Sequence, residues 1–523
     1  MLWNGLGVFW PATLHLVTLT DGEKLLGEIV ESDKQPSKGI DRVKIKVGNR
    51  ENGPAFRWVD TADIQEMTQP TEAFKLDRMT NLNYFGFLKE LQTPELPPLS
   101  PGTPQEQLAA AMASARRVEK AEIEPIQAEE SVIERELTSV LEPQSITLKY
   151  EKKQLERRQA TLKGQAAPEI DERIATIDRT LQRLKEREGE LKEESHALAG
   201  RRNKAEAALR SNVAVFVDSH GREQLLPLID IVRFTRPNEM GIGAKCSHYC
   251  AKIWEMLWDD PREANQDGGL FPAIFGTVLL VFLMAVTCFP LGVLAGIYLG
   301  EYAKQGPLVR LVRVAVNNLA GIPSIVYGIF GLGFFIYFCG GGLDSWLFPE
   351  WVDAGKPVFG QGCIFWASLT LGLLTIPVVI VSTEEALMAI PRDVRESSYA
   401  LGSTKFQTLV RVLVPMASPG MMTGFILAMA RAAGEVAPLM ITGAVKSAPV
   451  PVEGAFPFVR LDRQFMHLGF HIFDISCKSP NVEATKPMVY VTTLLLLGIV
   501  LTLTSVAIWL RNRMRKQFEL RTI

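Results

Sequence analysis

Hydrophobic and polar positions change rhythm three times along the chain. After residue 10 they alternate. Val17 and Leu19, then Asp21-Gly22, then Leu25, Leu26 and Ile29 predict a β-hairpin, and further short strands are predicted at 43–47, 56–59 and 213–217. Over 104–210 a helical period replaces the alternation. Ile170, Ile174, Ile177, Leu181, Leu184, Leu191 and Leu198 follow three-, four- or seven-residue steps, and Leu148, Leu155 and Leu162 repeat every seven. Gly164 to Pro168 breaks the pattern, so the expectation is an antiparallel coiled-coil hairpin with its tip at 164–168 and a first arm kinked or interrupted at Pro125 and Pro143. From about residue 272 the chain turns apolar and predicts five membrane spans, at about 273–299, 318–338, 362–382, 420–443 and 489–510.

The segments suggest residues 1–10, 11–103 (β-rich), 104–210 (helical hairpin), 211–271 (β-rich with a linker) and 272–523 (membrane domain). Asp63-Ile64, Met67-Thr68 and Pro70 are echoed at Asp230-Ile231, Phe234-Thr235 and Pro237. The echo reads either as duplicated β copies flanking the hairpin or as one small β-domain with the hairpin inserted. Residues 1–10, MLWNGLGVFW, are apolar but shorter than the roughly 20 residues a span needs. They are expected to be the outer end of a truncated first span.

Charge changes this picture little in bulk and much in placement. The net charge of −2 gives no case for nucleic acid, and the mean hydropathy of +0.10 averages two unlike halves. Lys304, Arg310 and Arg313, then Arg392, Arg395, Lys405 and Arg411, then the basic tail after Leu510 share one side if each span crosses once. That side reads as cytoplasmic, which predicts residues 11–271 outside, in the periplasm of a Gram-negative cell. Cys288, Cys339 and Cys363 read as packing cysteines. Cys246 and Cys250, with His248 between them, read as a packed pair, an external disulfide or, least favoured, a metal site.

One polar stretch sits between two spans. Pro391 followed by Asp393 and Glu396 predicts a helix start. Gly402 predicts its stop, and Ser403-Thr404 the cap of a second helix over about 405–413, ended by Pro415. Glu396-Ser397-Ser398, three residues, Gly402, nine residues, then Val412-Leu413-Val414-Pro415 resembles the EAA loop of ABC-importer permeases, with serine in place of both alanines. Ala320 to Gly331 (AGIPSIVYGIFG), Arg431 to Leu439 (RAAGEVAPL) and Ala507 to Arg513 (AIWLRNR) resemble segments of phosphate-specific permeases of the PstA type. The resemblance covers about 270–520 and does not reach the amino-terminal part.

It implies an α-helical polytopic membrane protein with a type I ABC importer permease core, carrying an extra amino-terminal part. It also implies a bacterial inner-membrane location and a PstC-type permease partner. A PstB-type ATPase dimer would hold ATP and magnesium, and a periplasmic PstS-type phosphate-binding protein would deliver substrate. In that reading Glu396, Ser397, Ser398, Gly402, Val412 and Pro415 form the coupling loop. The sequence has no G-x-x-x-x-G-K-[ST] phosphate cradle and shows no metal-ligand cluster or nucleophile–base arrangement beyond the Cys246–Cys250 stretch. The expectation is therefore a transporter subunit that is not itself an enzyme and holds no cofactor. Arg431 and Glu435, one helical turn apart in an apolar run, are the substrate-pathway candidates. Ionisable groups at that depth are costly, and a guanidinium can bind an oxyanion through two hydrogen bonds. The alternative for them is an ion pair that only locks helices. Alternatives for the whole chain are a sulfate or molybdate permease, or a membrane scaffold whose coiled coil recruits an envelope partner.

Overall fold

The computed structural model describes residues 5, 7–35, 40–48, 56–80, 83–97, 101–161, 168–262, 265, 267–452, 458–479 and 482–519. The chain divides into two compact units: Phe9–Ile253 with Pro349–Lys356, and Met1–Val8 with Trp254–Phe348 and Pro357–Ile523.

The first unit holds two antiparallel sheets with the same wiring. In the first, β1 (Leu14–Leu19), β2 (Lys24–Gln35), β3 (Ile40–Lys46) and β4 (Phe56–Asp60) form a meander. A single 3-10 turn, Thr61–Asp63, then returns β5 (Ile64–Thr68) to the free side of β1, giving the order β4-β3-β2-β1-β5. In the second, β6 (Phe74–Arg78), β7 (Asn83–Gln92), β8 (Val213–Val217) and β9 (Glu223–Pro227) repeat the meander. The turn Leu228–Asp230 returns β10 (Ile231–Thr235) beside β6, giving β10-β6-β7-β8-β9.

The likeness extends to local features. Gly27 in β2 and Gly86 in β7 both sit where a Cβ would strike the neighbouring strand's backbone carbonyl, of Lys46 and Val217 respectively. In each copy the register then shifts by a bulge, between Ile29 and Glu31 and between Leu88 and Glu90. The sequence echo at Asp63 and Asp230 is thus the matching 3-10 turn and closing strand of two copies. The two options drawn from sequence are both realised in part: the β parts are duplicated in wiring, and the hairpin lies inside the second copy, between the paired strands β7 and β8.

Thr103 opens the hairpin with a reciprocal capping box to Glu106, and Pro104 fills the first turn of α1 (Pro104–Glu136), where its missing N–H costs nothing. The helix runs on through Pro125, which removes one backbone hydrogen bond in an otherwise continuous ladder. The interruption lies at Leu137–Leu141, where the chain widens to a π-turn just ahead of Pro143 in α2 (Glu142–Thr161). That widening moves the carbonyls that the proline ring would otherwise meet. The expected tip at 164–168 falls almost wholly outside the described residues, and α3 (Pro168–Arg210) forms the return arm. Its Leu191, Leu198 and half-buried Leu184 pack on Ile126, Ile133, Leu137 and Leu141 of the first arm. The expected first-arm positions Leu148 and Leu155 are only half-buried, and Leu162 lies outside the described residues. The base of α1 covers the second sheet, with Leu108, Ala111, Met112 and Ala115 packed among Phe74, Tyr84 and Phe216. After β10 the chain forms not a bare linker but a helix, α4 (Ile242–Trp258), which carries on into the second unit.

Among the described residues, the second unit has five helices long and apolar enough to cross a membrane. They are α5 (Phe271–Tyr302), α7 (Ser324–Leu347), α8 (Ile364–Met388), α10 (Lys405–Gly434) and the Thr485–Arg513 stretch of α13 (Val482–Glu519). An amphipathic helix, α6 (Pro307–Leu319), precedes α7. The second span begins at Ser324 and not near 318, because Pro323 starts a new helix there. The most buried span is α8. Gly292 and Gly296 of α5 meet its Val379 and Thr383, and Gly420 and Gly424 of α10 meet its Ala386 and Ser382. Helices without a hydrophobic force between them associate in this way, through small residues that let backbones approach. Gly5 faces the Tyr490 carbonyl and Leu494 of α13.

Candidate functional site

The polar stretch folds as a helix, a left-handed turn and a second helix. The first, α9 (Arg392–Ala400), starts after Pro391. Gly402 then adopts φ +85°, a conformation that costs a residue with a Cβ, and Thr404 caps the next helix in a capping box with Gln407. Pro415 does not end that helix, contrary to the expectation from sequence. The chain widens to a π-turn at Leu409–Leu413 and continues as α10 to Gly434, so the stretch is built directly into a membrane span.

Of the predicted loop residues, Ser398 is buried and its hydroxyl lies 2.9 Å from that of Thr408, which locks the two helices together. Glu396, Ser397 and Gly402 are exposed, while Val412 and Pro415 are half-buried. Around them stand large exposed apolar side chains: Leu401 is 87% exposed and Phe406 66%. The turn thus holds two large apolar side chains outward as a knob.

Sequence reasoning missed what holds the knob in place. Arg395 of α9 donates to Glu301 Oε1 at 2.6 and 3.1 Å and to the carbonyls of Ile390 (2.7 Å) and Leu387 (2.8 Å). Lys405 at the start of α10 donates to the Glu301 carbonyl at 2.6 Å and lies over the Tyr302 ring. The end of α5 is therefore clamped to both helices of the stretch. Nearby, Arg313 of α6 pairs with Glu384 of α8 at 2.5 Å. Each of these arginines stood in the sequence as an orientation signal, but nothing local showed which acid it would reach.

The second candidate, Arg431–Glu435, is brought together, with Nε 3.5 Å from Oε1. The helix stops at Gly434, Glu435 is extended, and α11 (Ala437–Thr442) begins two residues later. The pair thus marks a break between two helical segments, the arrangement in which backbone groups and ionisable side chains are freed at membrane depth. Gly328 of α7 lies against Pro438 of α11, too close to admit a Cβ, so two segments distant in sequence meet behind the break. Tyr327 of α7 donates its hydroxyl to the Leu319 carbonyl at 2.6 Å. From the far side α12 (Leu468–Phe473) packs its Gly469 on Val436. Here burial holds the His467 and His471 imidazoles down at about 4, so both are neutral. Cys246 and Cys250 are free and exposed, and no cluster of three metal-ligating side chains occurs among the described residues.

Residues 292–516 match the family described as the binding-protein-dependent transport system inner membrane component. The chain is 37% identical over 174 residues to the phosphate transport system permease protein PstA of Mycobacterium leprae, covering 33% of this chain and 51% of that one. It is 30% identical over 224 residues to the probable ABC transporter permease protein YqgI of Bacillus subtilis, covering 42% of this chain and 70% of that one. Among solved structures, an inward-facing form of the MetNI methionine ABC transporter is similar, with a TM-score of 0.34, 20% identity, and coverage of 47% of this chain and 95% of that one. The chain spans about half the length of the PstA relatives it matches.

Proposed function

The chain belongs to the family of binding-protein-dependent transport system inner membrane components, and on that premise we propose that it is a PstA-type permease subunit of an ATP-driven importer of inorganic phosphate. It is a multi-pass inner-membrane protein. The observation that carries the reading is the clamped helix–turn–helix with Leu401 and Phe406 outward. A partner ATPase dimer, which holds the ATP and magnesium, grips this knob. Its closing moves α9, and the Arg395–Glu301 clamp passes the movement to α5, while the unbroken α10 passes it toward Arg431 and Glu435. A phosphate released from an external binding protein meets the Arg431 guanidinium, and Glu435 neutralises that charge between passages. A second permease subunit of the PstC type completes the path. The basic loops face the cytoplasm and the amino-terminal unit faces the periplasm.

Labelled-phosphate uptake, with the partner subunits co-expressed, tests this. Gly402→Asp is expected to abolish uptake while the protein still inserts, and normal uptake by that variant would refute the coupling assignment. Arg431→Ala is expected to lower uptake without preventing assembly; failure to assemble would reduce the pair to a helix lock. Sulfate or molybdate competing as well as phosphate would reassign the substrate. A Gln165→Cys variant that reacts with an impermeant label only in opened cells would reverse the topology.

A further inference from the structure

Helix α4 is inside out. A helix on a soluble surface buries apolar side chains and exposes charged ones. Here two of the three charged side chains turn inward to protein partners, and the third, Lys245, is half-covered. Lys252 pairs with Asp77 at 2.7 Å, with both side chains nearly buried, and Glu255 is buried against Arg262. The exposed positions, from Ile242 through Cys246, Cys250, Trp254 and Trp258, are all uncharged, and those between them are only glycine, alanine and serine. Ile242 is 78% exposed and Trp254 66%.

We propose that this outward face of α4 lies in the headgroup boundary of the lipid bilayer. The face does not end at the helix. Trp258 stacks on Phe271, the first residue of the span α5, with ring centroids 5.7 Å apart, and Trp254 packs on Trp258 at the same separation. Phe271 leads on to Phe275 and then to the exposed Val278, Phe282 and Val286 of the same span. An uncharged surface joined to a membrane span through two tryptophans has the composition of the interfacial layer, where the indole ring is favoured at headgroup depth. Lys252 and Glu255 are paired within the protein and Lys245 alone remains half-covered, so the face offers no basic cluster that would call for anionic lipid. Cys246 and Cys250 then pack as small apolar groups against lipid.

The test uses the full chain in phosphatidylcholine vesicles. Cys246, Cys339 and Cys477 are replaced by serine and a nitroxide is attached at Cys250; Cys288 and Cys363 are buried and react poorly. Power saturation then compares access of oxygen, which concentrates in lipid, with access of a water-soluble nickel chelate. A nitroxide at Glu190→Cys on the exposed side of the hairpin gives the aqueous reference. Oxygen access well above chelate access at Cys250, and the reverse at the reference, is the expected result. Chelate access equal to the reference would overturn the proposal. A label shielded from both would also overturn it, because a protein partner would then cover the face. Ala251→Cys, with Cys246 and Cys250 both replaced by serine, reads the next exposed position and is expected to give the same ratio if the Cys250 label disturbs the helix.

Discussion

Arg187 of the hairpin and Arg395 of the second unit each hold a glutamate from another helix, and the two bonds are not worth the same. Arg187 lies 3.2 Å from Glu136 with 47% and 37% of the two side chains exposed. Arg395 lies 2.6 Å from Glu301 with 18% and 11% exposed, and its remaining donors reach two backbone carbonyls. Exposed pairs lose most of their attraction to solvent screening and to the entropy of fixing two long side chains. A guanidinium bonded to a carboxylate and two carbonyls fixes three pieces of backbone at once. The hairpin is thus held by its seam, with charges on its exposed faces, whereas in the second unit buried pairs such as Arg395–Glu301 and Arg313–Glu384 join one helix to another.

This contrast can be tested from its strongest end downward. Arg395→Ala is expected to cut uptake by roughly tenfold or more while leaving insertion intact. Arg395→Lys is not expected to rescue it, because an ammonium cannot span the acid and both carbonyls. Uptake by the lysine variant equal to that of the unaltered protein would show that charge alone suffices.

The next largest effect belongs to a buried pair in the first unit, Asp77–Lys252. Asp77→Ala removes the buried carboxylate that Lys252 pairs with and Asn83 donates to, and is expected to cost about 3–5 kcal/mol, measured by amide exchange in β6 and β7 of the full chain. Burial alone would push the Asp77 carboxyl up, but Lys252 and Lys75 beside it hold it down at about 2, against an ordinary value of 3.8. An unfolded Asp77 therefore takes up its proton at a higher pH than the folded one. The stability it contributes is complete above about pH 4 and lost as the pH falls toward 2. In Asp77→Asn the acid dependence over that window is expected to flatten; an unchanged slope would assign it to other carboxyls.

In the hairpin, Leu191→Ala is expected to cost about 2–5 kcal/mol by loss of seam packing. Arg187→Ala is expected to cost far less than Leu191→Ala, because solvent screens the exposed pair. Proteolysis of the arms that is faster for the arginine variant than for the leucine variant would reverse the reading of what holds them.

What the sequence disclosed depended on how local the cause was. The stop at Gly402 and the cap at Thr404 are set within a few residues, and the structure places both as expected. Pro415 misled because a π-turn upstream, not visible as composition, made room for its ring. In the hairpin's first arm the seven-residue pair Ile126 and Ile133 carries the seam, but Pro125 beside it reads locally as a helix breaker. The duplicated sheets left only a short echo, since strand order arises from pairing across distance and many side chains satisfy it. The outward face of α4 could not be read at all: its apolar positions look like an ordinary core until it is known which side the charged residues occupy.

The insertion of the hairpin between β7 and β8 bears on how the chain finds its shape. Those two strands pair across residues 93–212, and closing so long a stretch as a random coil would be slow and entropically unfavourable. The two arms rest on each other along a local seam and can zip from the tip without waiting for the sheet. Once they have done so, the ends of the insertion are already neighbours, and the effective closure shrinks to a few residues. By the logarithmic dependence on loop length this offsets on the order of 2 kcal/mol of closure cost. The longest interruption in the second sheet thereby becomes the step that brings its strands together.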